Sequence, residues 1–201
     1  MSDQWNLTPF FDAVGSDSVA PAGGTVVGFV GAAGTSLVEM AAIHTLAGSG
    51  EKIEDTSAVA TALETLTHQR STLVSLSESD AITVSRLYGE SEKPATESVA
   101  QQATGIPLTM AAACSNVLEA AVPVAEHAHG SVVTDLTVGL SFVITAACNA
   151  IRTVRTNLES AGGRDKNQYG QRAEALLQTI ATDVARLEDL LGVEFCQAIG
   201  E

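Results

Sequence analysis

Residues 20–45 read APAGGTVVGFVGAAGTSLVEMAAIHT. After Pro21 the stretch holds no proline, its only acid is Glu39, and Gly23, Gly24, Gly28, Gly31 and Gly34 crowd its first half. Length and apolarity make it a helix, yet each interior glycine costs about 1 kcal/mol relative to alanine. A chain accepts that cost where something must approach the backbone closely, either a second helix or a ligand. For Gly28, Gly31 and Gly34 helix packing is the preferred explanation, because small residues let backbones close up and gain dispersion contacts. Gly23-Gly24-Thr25 stands where the helix begins, and free backbone amides and a hydroxyl gather there. That position suits a ligand, or simply the end of a loop.

The flanking sequence supplies partners for this helix. Thr8-Pro9 is an N-cap and first-turn proline for a short helix to about Val14, followed by the loop GSDSVAPAGG. A stretch from about Asp55 to Leu87 contains no glycine or proline. The next helix is capped by Thr96 or Ser98, carries Pro107 and is expected to kink there. Two more follow, from about Val132 to Ser160 and from about Gln168 to Leu191. No strand-like alternation persists, and no internal repeat or second domain interrupts residues 1–201. The expected fold is an all-α, up-and-down bundle of five to six long helices.

Composition narrows the function. The chain of 201 residues has 10 basic and 24 acidic side chains, for a net charge of −14, so it lacks the basic footprint of a nucleic-acid binder. Aromatics make up only 4%. Cys114, Cys148 and Cys196 are odd in number and widely spaced, which fits buried reduced thiols in a cytoplasmic protein rather than a disulfide framework. His44, His68, His127 and His129 show no metal-binding spacing, so no metal is expected. The N-terminus has no basic segment ahead of an apolar one and is not a signal peptide. The uncharged run between Asp135 and Arg152 is shorter than the roughly 18–20 residues of a membrane span, and the long apolar helices are expected in a core, with no membrane partner.

Several polar residues exceed what a bundle needs. An apolar stripe runs Val59, Leu63, Leu66, Leu73, Leu76 at spacings of three and four, and its next step is Asp80. The carboxylate either sits at a wet edge or is held partly dry, with its reactivity tuned by its surroundings. Asp135 heads the following apolar helix, where it or Thr134 could serve as a cap. Arg152 and Arg155 either receive an anionic ligand or decorate a solvated face.

Taken in order, these elements resemble the cyclodeaminase/cyclohydrolase family of folate enzymes, whose members include the C-terminal domain of formiminotransferase-cyclodeaminase and free-standing methenyltetrahydrofolate cyclohydrolases. The glycine-rich opening of the family's second helix is matched by PAGGTVVGFVGAAG, followed by Met40 and Thr45. DAITV keeps the family's aspartate as Asp80, IPL stands for its VPL, HGSVVTDLT keeps Asp135, and TVRTNL keeps Arg155 and Asn157. Val84 replaces an aromatic, Ala22 a loop glycine, His129 and Ser131 asparagines, and Thr137 a glycine. These departures bear on substrate identity more than on fold.

The resemblance implies a dimer with a folate pocket at or near the subunit contact. It also implies interconversion of 5,10-methenyl-tetrahydrofolate with its 10-formyl or 5-formimino form, with no cofactor beyond the tetrahydrofolate substrate. By residue, it implies Asp80 as catalytic nucleophile or base, with Gly23, Gly24, Thr25, Thr45, Asp135, Arg155 and Asn157 as substrate-binding. On this reading Gly23 and Gly24 face the ligand and the later glycines face a helix. The altered motifs leave a second possibility, an inactive relative serving as a dimeric interaction scaffold.

Overall fold

A computed structural model of the chain describes residues 6–48, 56–89, 96–160 and 166–195. Six helices follow one another: α1 (Thr8–Val14), α2 (Gly23–Gly48), α3 (Thr56–Tyr88), α4 (Glu97–His127), α5 (Val132–Ser160) and α6 (Lys166–Leu191). No strand occurs among the described residues. Helices α2 to α5 form a square in which α2 touches α3 and α5, and α4 closes the far corner. Helix α6 lies along α4 and α5. Facing residues give the directions: Gly28 meets Ser77 of α3 and Met110 of α4, while Gly31 meets Leu73, Cys114 and Ala146. Neighbouring helices therefore alternate up and down, and the amino end of α2 shares one end of the bundle with the carboxyl halves of α3 and α5.

The core is built from Leu66, Leu73, Met110, Leu118, Leu136, Leu140, Ile151, Ile180 and Leu187, all fully buried. Two helix caps differ from the sequence expectation. Leu7, not Thr8, occupies the cap position of α1, so Thr8 and Pro9 belong to its first turn. Helix α5 begins at Val132, which puts Thr134 and Asp135 inside the first turn rather than at the cap.

Helix α4 runs unbroken through Pro107 and Pro123. Pro107 has no N–H, so the carbonyl of Ala103, four residues earlier, loses its helical donor. The Asn157 side-chain amide on α5 donates to that carbonyl at 2.7 Å. An unpaired carbonyl in a helix contact is expensive, and the asparagine removes that cost. Cys114 and Cys148 are buried and reduced. Burial pushes the Cys114 thiol up to about 12, with Cys148 adding to the shift. Cys196 lies outside the described residues.

The later glycines of α2 are packing positions. A Cβ on Gly34 would stand 2.7 Å from the Gly139 carbonyl oxygen, and one on Gly139 would stand 2.8 Å from the Gly34 oxygen. Backbone atoms block both sites, so neither neighbour can rotate away. Alanine at position 34 would gain about 1 kcal/mol of helix propensity but would lose about 1–3 kcal/mol to overpacking. Gly34→Ala is therefore expected to lower the melting temperature, measured by circular dichroism. An unchanged or raised value would show that α2 and α5 can separate at no cost.

Candidate functional site

The inner face of α3 changes character along its length. Val59, Leu66 and Leu73 are buried near its start and middle, but the buried positions further on are Ser77, Asp80 and Thr83. Polar groups in a dry interior need partners. The amino end of α2 provides them.

Thr25 Oγ1 donates to Asp80 Oδ2 at 2.8 Å, and Ser77 Oγ donates to the Thr25 carbonyl at 2.7 Å. The Ala22 N–H in turn donates to Thr25 Oγ1 at 3.3 Å. Asp80 is only 6% exposed and Thr25 only 4%. Burial pushes the Asp80 carboxyl above the usual aspartate range, and the hydroxyl and amide of Thr25, both donating, pull it part of the way back. A carboxylate in this state is more basic than a solvated one and better able to take up a proton.

Gly24 makes the arrangement possible. A Cβ there would come within 2.8 Å of Asp80 Cγ, so any side chain would displace the carboxylate. The glycine thus faces Asp80, whereas a Cβ on the neighbouring Gly23 would meet open space.

Beside this pair lies a cavity of about 450 Å³ between α1, α2 and α3, within the range of about 300–1,000 Å³ usual for small-molecule sites. Phe10, Pro21, Phe29 and Val74 give it apolar walls; Thr25, Ser77 and Glu78 are its polar groups. Asp80 itself is not among the lining residues and is joined to the cavity through Thr25. The rings of Phe10 and Phe29 stand 4.9 Å apart, and Phe11 packs edge-on against Phe10. A larger hollow of about 530 Å³ runs between α4 and α6, lined by Leu108, Tyr169, Arg172 and Leu176 among others. No carboxylate is among its lining residues.

Of the residues singled out in the sequence, Gly24, Thr25 and Asp80 come together, while Gly23 is exposed at the start of α2 and neither glycine is among the residues that line the cavity. Arg155 and Asn157 share that end of the bundle, but their side chains are otherwise engaged. Arg155 pairs with Glu174 of α6 at 3.2 Å on the surface, and Asn157 supports α4. Thr45 and Asp135 lie at the opposite end. Twenty residues of helix separate Thr45 from Thr25, on the order of 30 Å at ~1.5 Å per residue. Thr45 is buried with its hydroxyl unpartnered among the described residues, and Asp135 is exposed. Phe10, Phe29, Ser77 and Glu78 escaped the sequence reading. The available signal was that Phe10, Phe11 and Phe29 are three of only five phenylalanines in the chain. Among the described residues no three histidine, cysteine or acidic side chains form a metal-holding group.

Comparison with known proteins agrees with the helical architecture. A family model for formiminotransferase-cyclodeaminase matches residues 6–178. A crystal structure of formiminotetrahydrofolate cyclodeaminase from Thermotoga maritima superposes with a TM-score of 0.79 at 18% sequence identity. The match covers 96% of this chain and 98% of that one. No curated protein sequence matches.

The state of Asp80 has a consequence for stability. Its folded-state pKa lies above the ordinary 3.8, so the charged form costs stability at neutral pH. That cost disappears as pH falls through the folded-state value. Asp80→Asn removes the charge and keeps an acceptor for Thr25. The variant is expected to melt at the wild-type temperature or above it near pH 7, with any gain shrinking towards about pH 4. A clearly lower melting temperature at neutral pH would mean that the negative charge itself anchors the amino end of α2.

Proposed function

The chain belongs to the formiminotransferase-cyclodeaminase family, and from that membership we propose that it is a one-carbon folate enzyme. On this reading it interconverts 5,10-methenyl-tetrahydrofolate with its 10-formyl form, as a cyclohydrolase, or with its 5-formimino form, as a cyclodeaminase. The observation that carries the proposal is the buried Asp80 carboxylate, bound to Thr25 beside an aromatic-walled cavity. The cavity is of a size to take a flat heterocycle, and the Phe10 and Phe29 rings can pack against one.

Both reactions pass through a carbon bonded to two nitrogens and carrying positive charge. Hydration adds a water to that carbon and must shed a proton. Ring closure of the formimino form removes a proton from nitrogen 10 and expels ammonia. A basic carboxylate serves either demand, and its negative charge offsets the cation across a dry medium. Asp80 is assigned that role. Glu78, an exposed residue of the cavity wall, adds a second negative charge to the cavity.

We also assign the chain a homodimeric state. The outward side of α2 presents Val26, Val30, Ala33, Leu37 and Met40, all partly exposed. The only acid of α2, Glu39, is occupied by Arg70 at 2.6 Å. Burial raises the Glu39 pKa, but hydrogen bonds from Arg70 and Thr67 outweigh it and hold the carboxyl below its ordinary value. Alongside, α5 exposes Val138 (42%) and Phe142 (43%). A helix that is apolar all round requires cover. By length and composition α2, α4 and α5 could also cross a membrane. A second copy covers the α2–α5 face without lipid, and in an antiparallel pair it would bring the Asp135 and Thr45 end of one subunit beside the Asp80 end of the other.

Two measurements test this reading. Purified protein is expected to consume methenyl-tetrahydrofolate, followed by its absorbance, or to release ammonia from the formimino form. Asp80→Asn should lower the rate by a factor on the order of 10². No turnover and no folate binding by the wild type would leave an interaction scaffold as the function. For the assembly, Phe142→Asp is expected to convert a detergent-free dimer into a monomer in analytical ultracentrifugation. A wild-type monomer in solution, or a protein that leaves the membrane fraction only with detergent, would overturn the dimer.

A further inference from the structure

Asp80 and the cavity do not meet directly; Thr25 stands between them. Thr25 is a member of the cavity wall, and its hydroxyl donates to Asp80 Oδ2 at 2.8 Å. We propose that the Thr25 hydroxyl is the catalytic group that passes protons between a reactant in the cavity and the Asp80 carboxylate. The inference rests on the folate reading for the identity of the reactant and on geometry for the relay.

For hydration the steps balance as follows. A water in the cavity forms a bond from its oxygen to the methenyl carbon. It gives one proton to Thr25 Oγ1 while the proton already on Thr25 moves to Asp80 Oδ2. The adduct is then a neutral carbinol. Its bond to nitrogen 5 breaks as the carbonyl forms, and the carbinol proton goes to that nitrogen. Asp80 later returns its proton to solvent by the reverse path through Thr25. The net change is addition of one water and release of one proton, with no other reactant.

Three features of the surroundings suit a relay. Ser77 fixes the backbone of Thr25 by donating to its carbonyl, and the bond to Asp80 holds the hydroxyl itself in one rotamer. The Ala22 N–H also points at Thr25 Oγ1, which stabilises the oxygen as its proton departs. Gly24, with no Cβ, lets the carboxylate come close enough to accept that proton. The hydroxyl is therefore held by a donor on one side and an acceptor on the other. A residue recruited only to start a helix would need neither the carboxylate nor the cavity.

Glu78 is the alternative base, because it lines the cavity without an intermediary. The test compares Thr25→Ser, Thr25→Val and Glu78→Gln in the methenyl-tetrahydrofolate assay. A relay predicts that Thr25→Ser loses less than about tenfold in kcat while Thr25→Val loses on the order of 10²-fold, with KM little changed. Full activity in Thr25→Val, or loss confined to Glu78→Gln, would overturn the relay while leaving the folate reading intact.

A second arm needs no turnover. In Thr25→Cys, iodoacetamide is expected to alkylate position 25, read by peptide mass spectrometry, because residue 25 lines the cavity. Adding Asp80→Asn should speed that alkylation at neutral pH, since removing the adjacent negative charge favours the thiolate. A position 25 that resists alkylation, or a rate indifferent to Asp80, would overturn the contact between cavity and carboxylate whatever the substrate proves to be.

Discussion

The hydrogen bond from Thr25 Oγ1 to Asp80 Oδ2 ties together residues 55 positions apart in the chain. Around it the amino end of α2 and the carboxyl half of α3 are fixed against each other. A buried carboxylate without that partner would have to neutralise or find water. With it, the charge is held next to a cavity in a state more basic than usual. The glycine at position 24 follows from the same constraint, because any side chain there would occupy the space of the carboxylate. So does Ser77, one turn before Asp80 on α3, which holds the Thr25 carbonyl.

The glycine-rich stretch thus serves two purposes along one helix. At its start, Gly24 yields space to a functional group. Further on, Gly28, Gly31 and Gly34 yield space to α3, α4 and α5. Close packing on three sides leaves the fourth side of α2 outward and apolar, and that side is the surface assigned to the second subunit. The site and the proposed subunit contact therefore share one helix.

Much of this was legible in the sequence. The apolar stripe of α3 leads to Asp80 by simple periodicity, and the structure puts that carboxylate inward, away from bulk solvent. Helix limits followed from glycine and proline breaks because those residues act locally. What the sequence withheld was spatial. The family resemblance places Thr45 and Asp135 among the substrate-binding residues, and within one subunit the up-and-down bundle puts them at the end opposite Asp80. The role of Asn157 was equally hidden. It lies 54 residues from the Ala103 carbonyl that it satisfies, and only the missing N–H of Pro107 explains why that carbonyl needs a donor. Thus IPL and TVRTNL, two separate stretches of sequence, are joined in one structural device. The cavity walls were obscure for a third reason, since Phe10 comes from a short amino-terminal helix whose docking on α2 leaves no periodic signature.

The most direct measurement is a crystal structure of the protein with a bound non-hydrolysable folate, such as 5-formyl-tetrahydrofolate. The pterin ring is expected against the paired rings of Phe10 and Phe29, with its one-carbon group in hydrogen-bonding reach of Thr25 Oγ1 and the Thr25–Asp80 contact intact. A ligand found instead in the hollow between α4 and α6, with the cavity beside Thr25 filled only by solvent, would contradict it.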